Sequence, residues 1–473
     1  MTHEILNTQQ MAKADELTIK GGIPGYTLMQ NAGKAIFDVI LSHYPDHKIL
    51  VLAGPGNNGG DGFVAAQLLN DKGFDVCVAG LVPVDKLKGD AQKAGFDYKG
   101  KLYELGDKFM DNLPFSPDLV VDALFGTGLS RALTSPVTDT LKWVREMSIP
   151  VLAVDVPSGV FGQTGKSDPY TVSADHTVTF FRKKLGHVLH PGRSLCGQIH
   201  LRDIGISENI LKKTGISGHE NHPDLWLEKY PHPVDNTHKY KKGLSVIYGG
   251  PKMCGAVHMA SLACMRIGSG LCRVVTKPEA SDLYRTILPP HIIVTEDPDW
   301  NDQRVTARLI GPGAGEDVDK FVDEFLRYDV PIVLDADALS QLKPFTPHVV
   351  LTPHEGEFEK LCPEATGSKL EKVLYASQKT AAVIVLKGSD TVVAQQGRTC
   401  VINTHTSPAL ATAGTGDVLA GMITGLLAQG MTAFDAACAA VWMHGEAGIR
   451  LGTGCVAPDI PDAIPAILQE LLP

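Results

Sequence analysis

The 473-residue sequence is poor in the features that mark several protein classes. Its nine cysteines are scattered, odd in number and without a CxxC pair, which excludes the common zinc and dithiol motifs. No apolar run approaches the roughly 18 residues that span a membrane, and the N-terminal MTHEILNTQQMAKADE has no apolar signal-peptide core. With 43 basic and 53 acidic residues the net charge is −10, so neither nucleic acid nor a membrane is an expected partner. We expect a cytoplasmic protein with small, buried thiols.

What the sequence does have is glycine: 48 residues, about a tenth of the chain, against a typical ~7%. Apolar strands recur, each followed by a glycine-rich turn and an amphipathic helix, which predicts parallel sheets covered by helices on both faces. Residues 8–41 indicate two further helices. The pattern stops in a stretch rich in His, Pro, Lys and Glu and then restarts. We therefore predict two α/β domains, at residues 1–215 and 241–473, with a linker at 216–240.

The strongest N-terminal motif is AGPGNNGGDG, at residues 53–62, between a strand and a helix. Its glycines let backbone N–H groups approach an anion closely, and the following helix adds the positive end of its dipole. Two later strands also end in polar residues. Because parallel strands open their carboxyl ends onto one crevice, we expect convergence of Asn57, Asn58, Asp61, Asp122, Asp155 and Ser158. Such a crevice suits a monovalent cation or general acid–base chemistry, although Asp122 and Asp155 could instead be helix N-caps.

The strongest motif of the whole chain is ATAGTGDVLAG, at residues 411–421, which opens a long apolar helix. The N–H groups of Gly414, Thr415 and Gly416 are predicted to form an anion hole at the helix N-terminus, directly before Asp417. Phosphoryl transfer needs charge stabilisation and an oriented nucleophile, and this arrangement supplies both. The alternative is that Asp417 only stabilises the helix dipole, which is worth under ~1 kcal/mol and leaves the glycines unexplained.

AGPGNNGGDG, VDALFGTGL and VDVPSG together resemble the NAD(P)H-hydrate epimerase family over roughly residues 10–212. The resemblance implies a Rossmann-like, doubly wound sheet. It also implies that the hydrated nicotinamide nucleotide is bound by Asn57, Asn58, Gly59, Gly60, Asp61, Gly126, Thr127, Gly128, Leu129, Ser130, Arg131 and Ala132. By the same resemblance, Asn58, Asp122 and Ser158 would hold a potassium ion. Asp155 would then be the acid/base that lets the C6 centre of the substrate invert.

The C-terminal half resembles the ribokinase-like superfamily through GTGD. It resembles the ADP/ATP-dependent NAD(P)H-hydrate dehydratases through GPGAG, LDADAL, LTPHEGEF and LKGSDT, in that order, over about residues 235–470. The resemblance implies a ribokinase-like α/β domain with Asp417 as the base that deprotonates the substrate hydroxyl. The implied nucleotide-binding residues are Lys387, Gly388, Ser389, Asp390, Thr391, Gly414, Thr415 and Gly416, and the implied substrate-binding residues are Ala256, Gly313 and His354. Fused bacterial members use ADP, so ADP rather than ATP is the expected phosphoryl donor, together with magnesium.

Two segments depart from the family pattern. Ala413 stands where a second glycine usually precedes TGD, and Met253 with Cys254 stand where an aromatic and a small residue are expected.

The paired motifs imply a bifunctional repair enzyme that epimerises the R and S hydrates of NADH and NADPH (NADHX and NADPHX). It would dehydrate the S form at the expense of ADP, giving AMP and phosphate, and we expect a homo-oligomer. The alternative is a vitamin-precursor or sugar kinase attached to a non-catalytic nucleotide-binding module.

Overall fold

The chain divides into two units, residues 1–218 and 219–473, each with its own hydrophobic core. The computed structural model describes residues 3–106, 109–232, 234–297, 302–315, 318–340 and 342–472. Within those ranges, no helix combines the length and apolarity needed to cross a bilayer. All nine cysteines are free thiols, and all except the half-buried Cys254 are buried.

The first unit alternates strands with helices. Its strands are β1 (Glu4–Leu6), β2 (Ile49–Ala53), β3 (Val76–Gly80), β4 (Lys101–Glu104), β5 (Leu119–Ala123), β6 (Val151–Val154), β7 (His176–Phe180), β8 (Lys183–Lys184) and β9 (Gln198–Arg202). Its helices are α1 (Thr8–Lys20), α2 (Gly25–His43), α3 (Asn57–Lys72), α4 (Gly89–Asp97), α5 (Val137–Glu146), α6 (Leu185–Val188), α7 (Gly192–Leu195) and α8 (Leu211–Thr214). Short 3-10 helices are at Val84–Lys86, Met110–Asn112 and Glu208–Ile210.

The main sheet of this unit has the order β4-β3-β2-β5-β6-β7-β9, with every neighbouring pair parallel. Strands β2, β3, β5 and β6 are buried at every residue, because helices cover both faces of a Val-, Leu- and Ala-rich sheet. The strand order reverses between β2 and β5, which opens a crevice at their carboxyl ends. The predicted Rossmann-like, doubly wound sheet is confirmed, and the two helices predicted at residues 8–41 are α1 and α2.

The second unit contains the longer helices. Its strands are β10 (Gly218–Glu220), β11 (Leu244–Gly249), β12 (Leu271–Thr276), β13 (Ile293–Thr295), β14 (Val305–Ile310), β15 (Ile332–Leu334), β16 (Val349–Leu351), β17 (Val383–Leu386), β18 (Val392–Ala394) and β19 (Val401–Ile402). Its helices are α9 (Cys254–Arg266), α10 (Pro278–Ile287), α11 (Val318–Leu326), α12 (Glu355–Leu361), α13 (Lys369–Thr380), α14 (Thr415–Ala428), α15 (Ala433–Leu451) and α16 (Ile460–Leu471). Short 3-10 helices are at Pro223–Leu225, Leu227–Lys229, Ala336–Ala338, Pro408–Leu410 and Ala457–Asp459.

The sheet of the second unit begins with seven parallel strands in the order β13-β12-β11-β14-β15-β16-β17. Strands β18 and β19 extend it in antiparallel pairings, and β10 then pairs with β19 in parallel. Helix α14 is buried at every residue from Val418 to Ala428 and packs on α9. Its glycines allow this closeness, since a Cβ at Gly421 would lie 2.1 Å from the Ala260 carbonyl oxygen. The predicted α/β architecture of this unit is confirmed.

Much of the segment predicted as a linker, residues 216–240, is built into the second unit. Trp226 and Tyr230 are buried in its core. The Trp226 Nε1 donates to Asn221 Oδ1 at 3.3 Å, and the Tyr230 hydroxyl donates to the Ile267 carbonyl oxygen at 3.1 Å. The polar composition of this stretch concealed two large aromatic anchors, whose burial outweighs the surrounding charges. The segment predicted as a linker therefore contributes Trp226 and Tyr230 to the core of the second unit, and the domain bounds stay a prediction.

Candidate active sites in the two units

A cavity of about 580 Å³ opens in the first unit where β2, β5 and β6 end. Helices α1 and α2 close it through residues that include Asp15 and Met29. The sequence-predicted residues on its wall are Asn57, Asn58, Asp61, Gly126, Thr127, Gly128, Leu129, Ser130, Arg131 and Asp155. The fold thus brings together three loops that are far apart along the chain, as the carboxyl ends of parallel strands should.

Five of the residues predicted from the sequence are not among the described residues that line this cavity. Gly59 and Gly60 are buried in the first turn of α3, and a Cβ at Gly59 would lie 2.0 Å from the Gly54 carbonyl oxygen. Asp122 and Ser158 are buried, whereas Ala132 is exposed. The glycines therefore serve the tight strand-to-helix turn that presents Asn57 and Asn58.

Asp155 follows β6 with a φ of 65°, a left-handed backbone conformation that non-glycine residues rarely adopt. Its Oδ2 accepts from the Thr127 N–H at 2.9 Å and from the Thr127 hydroxyl at 2.8 Å. Its Oδ1 accepts from the Thr179 hydroxyl at 3.0 Å and lies 2.8 Å from the Lys184 ammonium. Burial raises the pKa of Asp155, but the Lys184 charge and the hydrogen bonds outweigh it, so the pKa lies below its ordinary value. Asp155 is therefore an ionised carboxylate held in one orientation.

The buried His187 supports the backbone of this strained residue. Its Nδ1 accepts from the Lys184 N–H at 2.9 Å, and its Nε2 lies 2.6 Å from the Asp155 carbonyl oxygen. Since a carbonyl oxygen only accepts, Nε2 carries the ring proton and donates it. Burial, followed by the Lys184 charge, lowers the pKa of His187 to about 4, so the ring is neutral at physiological pH.

Two further carboxyl groups share the cavity with Asp155, and the pKa of each is shifted upward, opposite to that of Asp155. Burial raises the pKa of Asp15 to about 6, with Lys184 opposing the rise. Burial and the nearby Asp155 and Asp15 charges raise the pKa of Asp61 well above its ordinary value. The cavity therefore combines the ionised Asp155 with Asp15, which is mostly ionised at neutral pH but can take up a proton, and with Asp61, which is disposed to hold one.

Asp15, Thr179, Lys184 and His187 were not foreseen from the sequence. Asp15 lies on an amphipathic helix, where an acidic residue usually faces solvent. Lys184 stands in the stretch FRKKLGH, which has the composition of a solvated turn. Only the packing of α1 and β8 onto the loop after β6 shows that these side chains point inward.

A second, smaller polar cluster joins the ends of β5 and β6. Asp122 accepts from the Ser158 hydroxyl at 2.6 Å and from the Ser158 N–H at 2.7 Å. Burial raises the pKa of Asp122, and the hydrogen bonds from Ser158 only partly offset this. The Asn58 amide has its Nδ2 buried without a hydrogen-bond partner among the described residues. The Asn58 side chain, on the cavity wall, therefore has an unused hydrogen-bond donor.

In the second unit, α14 begins at the predicted anion hole. Gly414 is its N-cap, with a φ of 91° that favours glycine. Because glycine has no side chain to cap the helix, the N–H groups of the first turn are available to an anion. Burial, followed by the neighbouring Asp335, raises the pKa of Asp417 to about 6, and Lys387 opposes this rise. Asp417 is therefore ionised at neutral pH and still basic enough to take a proton.

The Lys387 ammonium connects a group of carboxylates to this helix terminus. Its Nζ lies 2.8 Å from Asp335 Oδ1 and 3.9 Å from Glu357 Oε2. A Cβ at Gly416 would lie 3.3 Å from the same Nζ, so the lysine sits against the first turn of α14. The buried Asp335 also accepts from the Thr352 hydroxyl at 2.8 Å. The structure thus places Lys387, Gly416 and Asp417, which come from distant segments, at one location.

The rest of the LKGSDT turn is held by local contacts. Asp390 is buried, with its Oδ1 2.6 Å from the Lys369 ammonium, which sequence reasoning had missed. The Thr391 hydroxyl donates to the Gly388 carbonyl oxygen at 2.7 Å. These contacts leave Gly388 and Ser389 exposed at the end of β17, where a ligand could reach them.

The three predicted substrate residues of this unit have different surroundings. Ala256 is buried in the first turn of α9. Gly313 has a φ of 61°, and a Cβ there would lie 2.4 Å from the Met253 carbonyl oxygen, so its loop abuts the start of α9. His354 is exposed and caps α12, its Nδ1 accepting from the Glu357 N–H at 3.2 Å. A substrate contact by His354 stays a prediction.

His444, on α15, is a neighbour of this site that the sequence did not suggest. It forms a hydrogen bond with the Thr415 backbone, and burial lowers its pKa to about 4. Its Nε2 is buried without a partner among the described residues. A neutral histidine therefore adjoins the first residue of α14.

Known proteins are similar to this chain in both of its halves. Residues 244–467 match the family model described as NAD(P)H-hydrate dehydratase, and residues 25–186 match the model described as YjeF-related protein N-terminus. The bifunctional NAD(P)H-hydrate repair enzyme Nnr of Escherichia coli K12 is 34% identical, over 95% of this chain and 90% of its own length. Its counterpart from Salinibacter ruber is 33% identical, over 98% of this chain and 96% of its own length. A Bacillus subtilis ADP/ATP-dependent NAD(P)H-hydrate dehydratase, co-crystallised with ATP and Mg²⁺, matches 51% of this chain and 94% of its own at 31% identity and a TM-score of 0.46.

The fold and the two sites define an enzyme class in which a Rossmann-like crevice and a ribokinase-like helix terminus occur in one polypeptide. The identity to the two repair enzymes extends over nearly the full length of this chain and of theirs, which establishes the family. The chain belongs to the family of bifunctional NAD(P)H-hydrate repair enzymes.

Proposed function

We propose that the first unit interconverts the R and S hydrates of NADH and NADPH, and that the second unit dehydrates the S hydrate at the expense of ADP. The observation that carries this proposal is the co-occurrence, in one family member, of the Asp15–Asp61–Asp155 cavity and the Gly414–Asp417 helix terminus. The two activities are complementary, because a dehydratase that consumes one epimer leaves the other behind.

For epimerisation, the ring nitrogen of the hydrate expels the C6 hydroxyl when that hydroxyl is protonated. Asp61 is placed to give this proton, since its pKa is well above the ordinary value. The ionised Asp155 stabilises the positive charge that the ring then carries. Water then adds to the opposite face and gives its proton to the ionised Asp15, which inverts C6, and proton transfer between the two carboxyl groups restores Asp61. In this scheme Asp155 supplies the stabilising negative charge, and Asp15 takes part in the proton transfers.

For dehydration, Asp417 removes the proton of the C6 hydroxyl, whose oxygen attacks the terminal phosphoryl group of ADP. The bond to the bridging oxygen breaks, and AMP leaves. The N–H groups at the start of α14, together with Lys387, stabilise the charge on the transferring group. The ring nitrogen then expels phosphate from C6, and loss of the C5 proton restores the double bond of the reduced nucleotide. The turn Lys387–Thr391 of LKGSDT holds the nucleotide in this scheme.

The residues present fit the two cations that the family resemblance implies. Asp122, Ser158 and Asn58 would hold potassium, because a buried carboxylate with only neutral hydrogen-bond donors lacks a counter-charge. A monovalent cation there would neutralise Asp122 and fix the loops that carry the cavity wall. In the second unit, Asp335 and Glu357 offer carboxylate oxygens of the kind that Mg²⁺ prefers, and bound magnesium would neutralise nucleotide charge.

The test is recovery of the 340-nm absorbance of the reduced nucleotide from a mixture of R and S hydrates, with ADP, ATP or no nucleotide. Complete recovery with ADP supports both activities and the proposed donor. Recovery that stops at the S fraction contradicts the epimerase assignment. A stable phosphorylated product without recovery identifies a kinase instead. Epimer exchange that survives Asp155→Ala would favour a non-catalytic first unit.

Two further expectations belong with this proposal. Nine free thiols suit the reducing cytoplasm, which is where we place the enzyme. We also expect a homo-oligomer, which is tested by measuring the molar mass of the full-length protein by light scattering.

A further inference from the structure

Three histidines converge at the edge of the first sheet that lies opposite the cavity. His176 is the first residue of β7, and the register pairs Val178 of β7 with His200 of β9. Because side chains alternate along a strand, His176 and His200 project from the same face. His43, in the last turn of α2, packs over that face. None of the three lines the catalytic cavity.

The ring nitrogens are close to the spacing that a metal ion needs. One nitrogen from each of His43, His176 and His200 lies within 4.8 Å of the other two. His176 Nδ1 and His200 Nε2 are 2.9 Å apart. In a tetrahedral site with metal–nitrogen bonds of ~2.0–2.1 Å, ligand nitrogens are about 3.3 Å apart. Small side-chain rotations therefore produce a three-nitrogen site.

The protonation states of His176 and His200 agree with the geometry. Histidine binds a metal ion as the neutral imidazole. Burial, followed by the neighbouring histidine, lowers the pKa of both His176 and His200, the latter to about 4. His43 is exposed, so water has access to a fourth ligand position.

We propose that His43, His176 and His200 bind a divalent transition-metal ion of the zinc class, with water as the fourth ligand. An all-imidazole set favours such ions over magnesium or calcium, which take oxygen ligands. Binding replaces the His176–His200 hydrogen bond. Since the Arg202 guanidinium can only donate in its 3.5 Å contact with His200 Nδ1, the metal-free ring carries its proton on Nε2. Metal binding moves that proton to Nδ1, and the contact with Arg202 is lost. The bound ion links the end of α2 to β7 and β9, at a place that is not part of the cavity.

The experiment uses full-length protein without an affinity tag, stripped of metal by a chelator. Zn²⁺ binding is measured by calorimetry, and Co²⁺ is added as a spectroscopic probe of the same site. We expect one tight equivalent per chain, an intense visible Co²⁺ spectrum typical of four-coordination, and a higher melting temperature of the first unit. His43→Ala should weaken Zn²⁺ binding by more than about 100-fold, since even loss of a residue that only orients a ligand costs roughly 10–100-fold.

His291→Ala, at an exposed histidine of the second unit, is the matched control and should bind like the wild type. Because His43 is exposed, its replacement should leave the fold intact, which circular dichroism verifies. Zn²⁺ binding that is unchanged in His43→Ala overturns the proposal. So does a wild-type Co²⁺ spectrum that stays weak and six-coordinate, a result that needs no variant.

Discussion

The buried ion pair between Lys184 and Asp155 gives the most demanding prediction. The Lys184 side chain is 1% exposed and its ammonium lies 2.8 Å from Asp155 Oδ1. Lys184→Met keeps the length of the side chain but leaves Asp155 without its counter-charge. Breaking a buried pair by removing one partner costs about 3–5 kcal/mol. For a unit of this size each kcal/mol shifts the melting temperature by about 2–4 °C, so the first unit should melt roughly 6–20 °C lower at neutral pH.

The pH dependence of this loss distinguishes charge from packing. In the wild type the pKa of Asp155 lies below its ordinary value, so the pair contributes stability above the unfolded pKa of about 3.9 and loses it only in stronger acid. Without Lys184, burial dominates and the pKa of Asp155 rises. The variant then gains a proton as the pH falls, and its deficit against the wild type should shrink between pH 8 and pH 5.

Differential scanning calorimetry at both pH values measures the effect. Lys34→Met, which removes an exposed partner of Asp38 on α2, is the control and should change the melting temperature very little. Adding Asp155→Asn to Lys184→Met should restore much of the stability, because the unpaired charge is gone. The reasoning is refuted if Lys184→Met has the melting temperature of the wild type. It is also refuted if the difference in melting temperature between the two is the same at both pH values.

Four further outcomes follow from the same sites. Asp417→Asn should lower dehydration of the S hydrate by about 10²–10⁴-fold while leaving epimer exchange intact, as measured by 340-nm recovery and by epimer separation. Because burial raises the pKa of Asp417 to about 6, wild-type dehydration should decline as the pH falls through 6. Lys387→Met removes the charge that lowers this pKa and should move the decline to higher pH in a pH–rate profile. Gly59→Ala places a Cβ 2.0 Å from the Gly54 carbonyl oxygen and should impair epimer exchange but not dehydration.

Matched controls make these outcomes specific. Asp462→Asn, at an exposed carboxylate of α16, should leave dehydration unchanged. Gly106→Ala, where a Cβ meets nothing within 4 Å, should leave epimer exchange unchanged. Equal dehydration by Asp417→Asn and the wild type would remove the proposed base, and a fixed acidic limb in Lys387→Met would show that another group sets it.

The sequence alone predicted the two α/β units and the positions where chemistry should occur. Apolar strands followed by glycine-rich turns are a local signal, because a tight turn at a strand end requires glycine whatever surrounds it. Gly59 is an example, and it lies where the motif placed it. Gly414 is under the same kind of local control at the start of a helix, where its φ of 91° favours glycine. The location of Asp155 directly after a strand, and of Asp417 in the first turn of a helix, followed from the same reasoning.

Other features depended on packing between distant segments. The inward direction of Asp15 and Lys184, the burial of Trp226 within a polar stretch, and the meeting of His43 with His176 and His200 have no signature in the local sequence. Opposite shifts in the pKa of Asp61 and Asp155 also depend on burial and on neighbours remote in the chain. The sequence by itself determined the fold class and the residues that border each site, because turn chemistry and strand periodicity are local. Only the tertiary structure decided which side chains face one another and in which charge state, since desolvation and Coulomb interactions act through space.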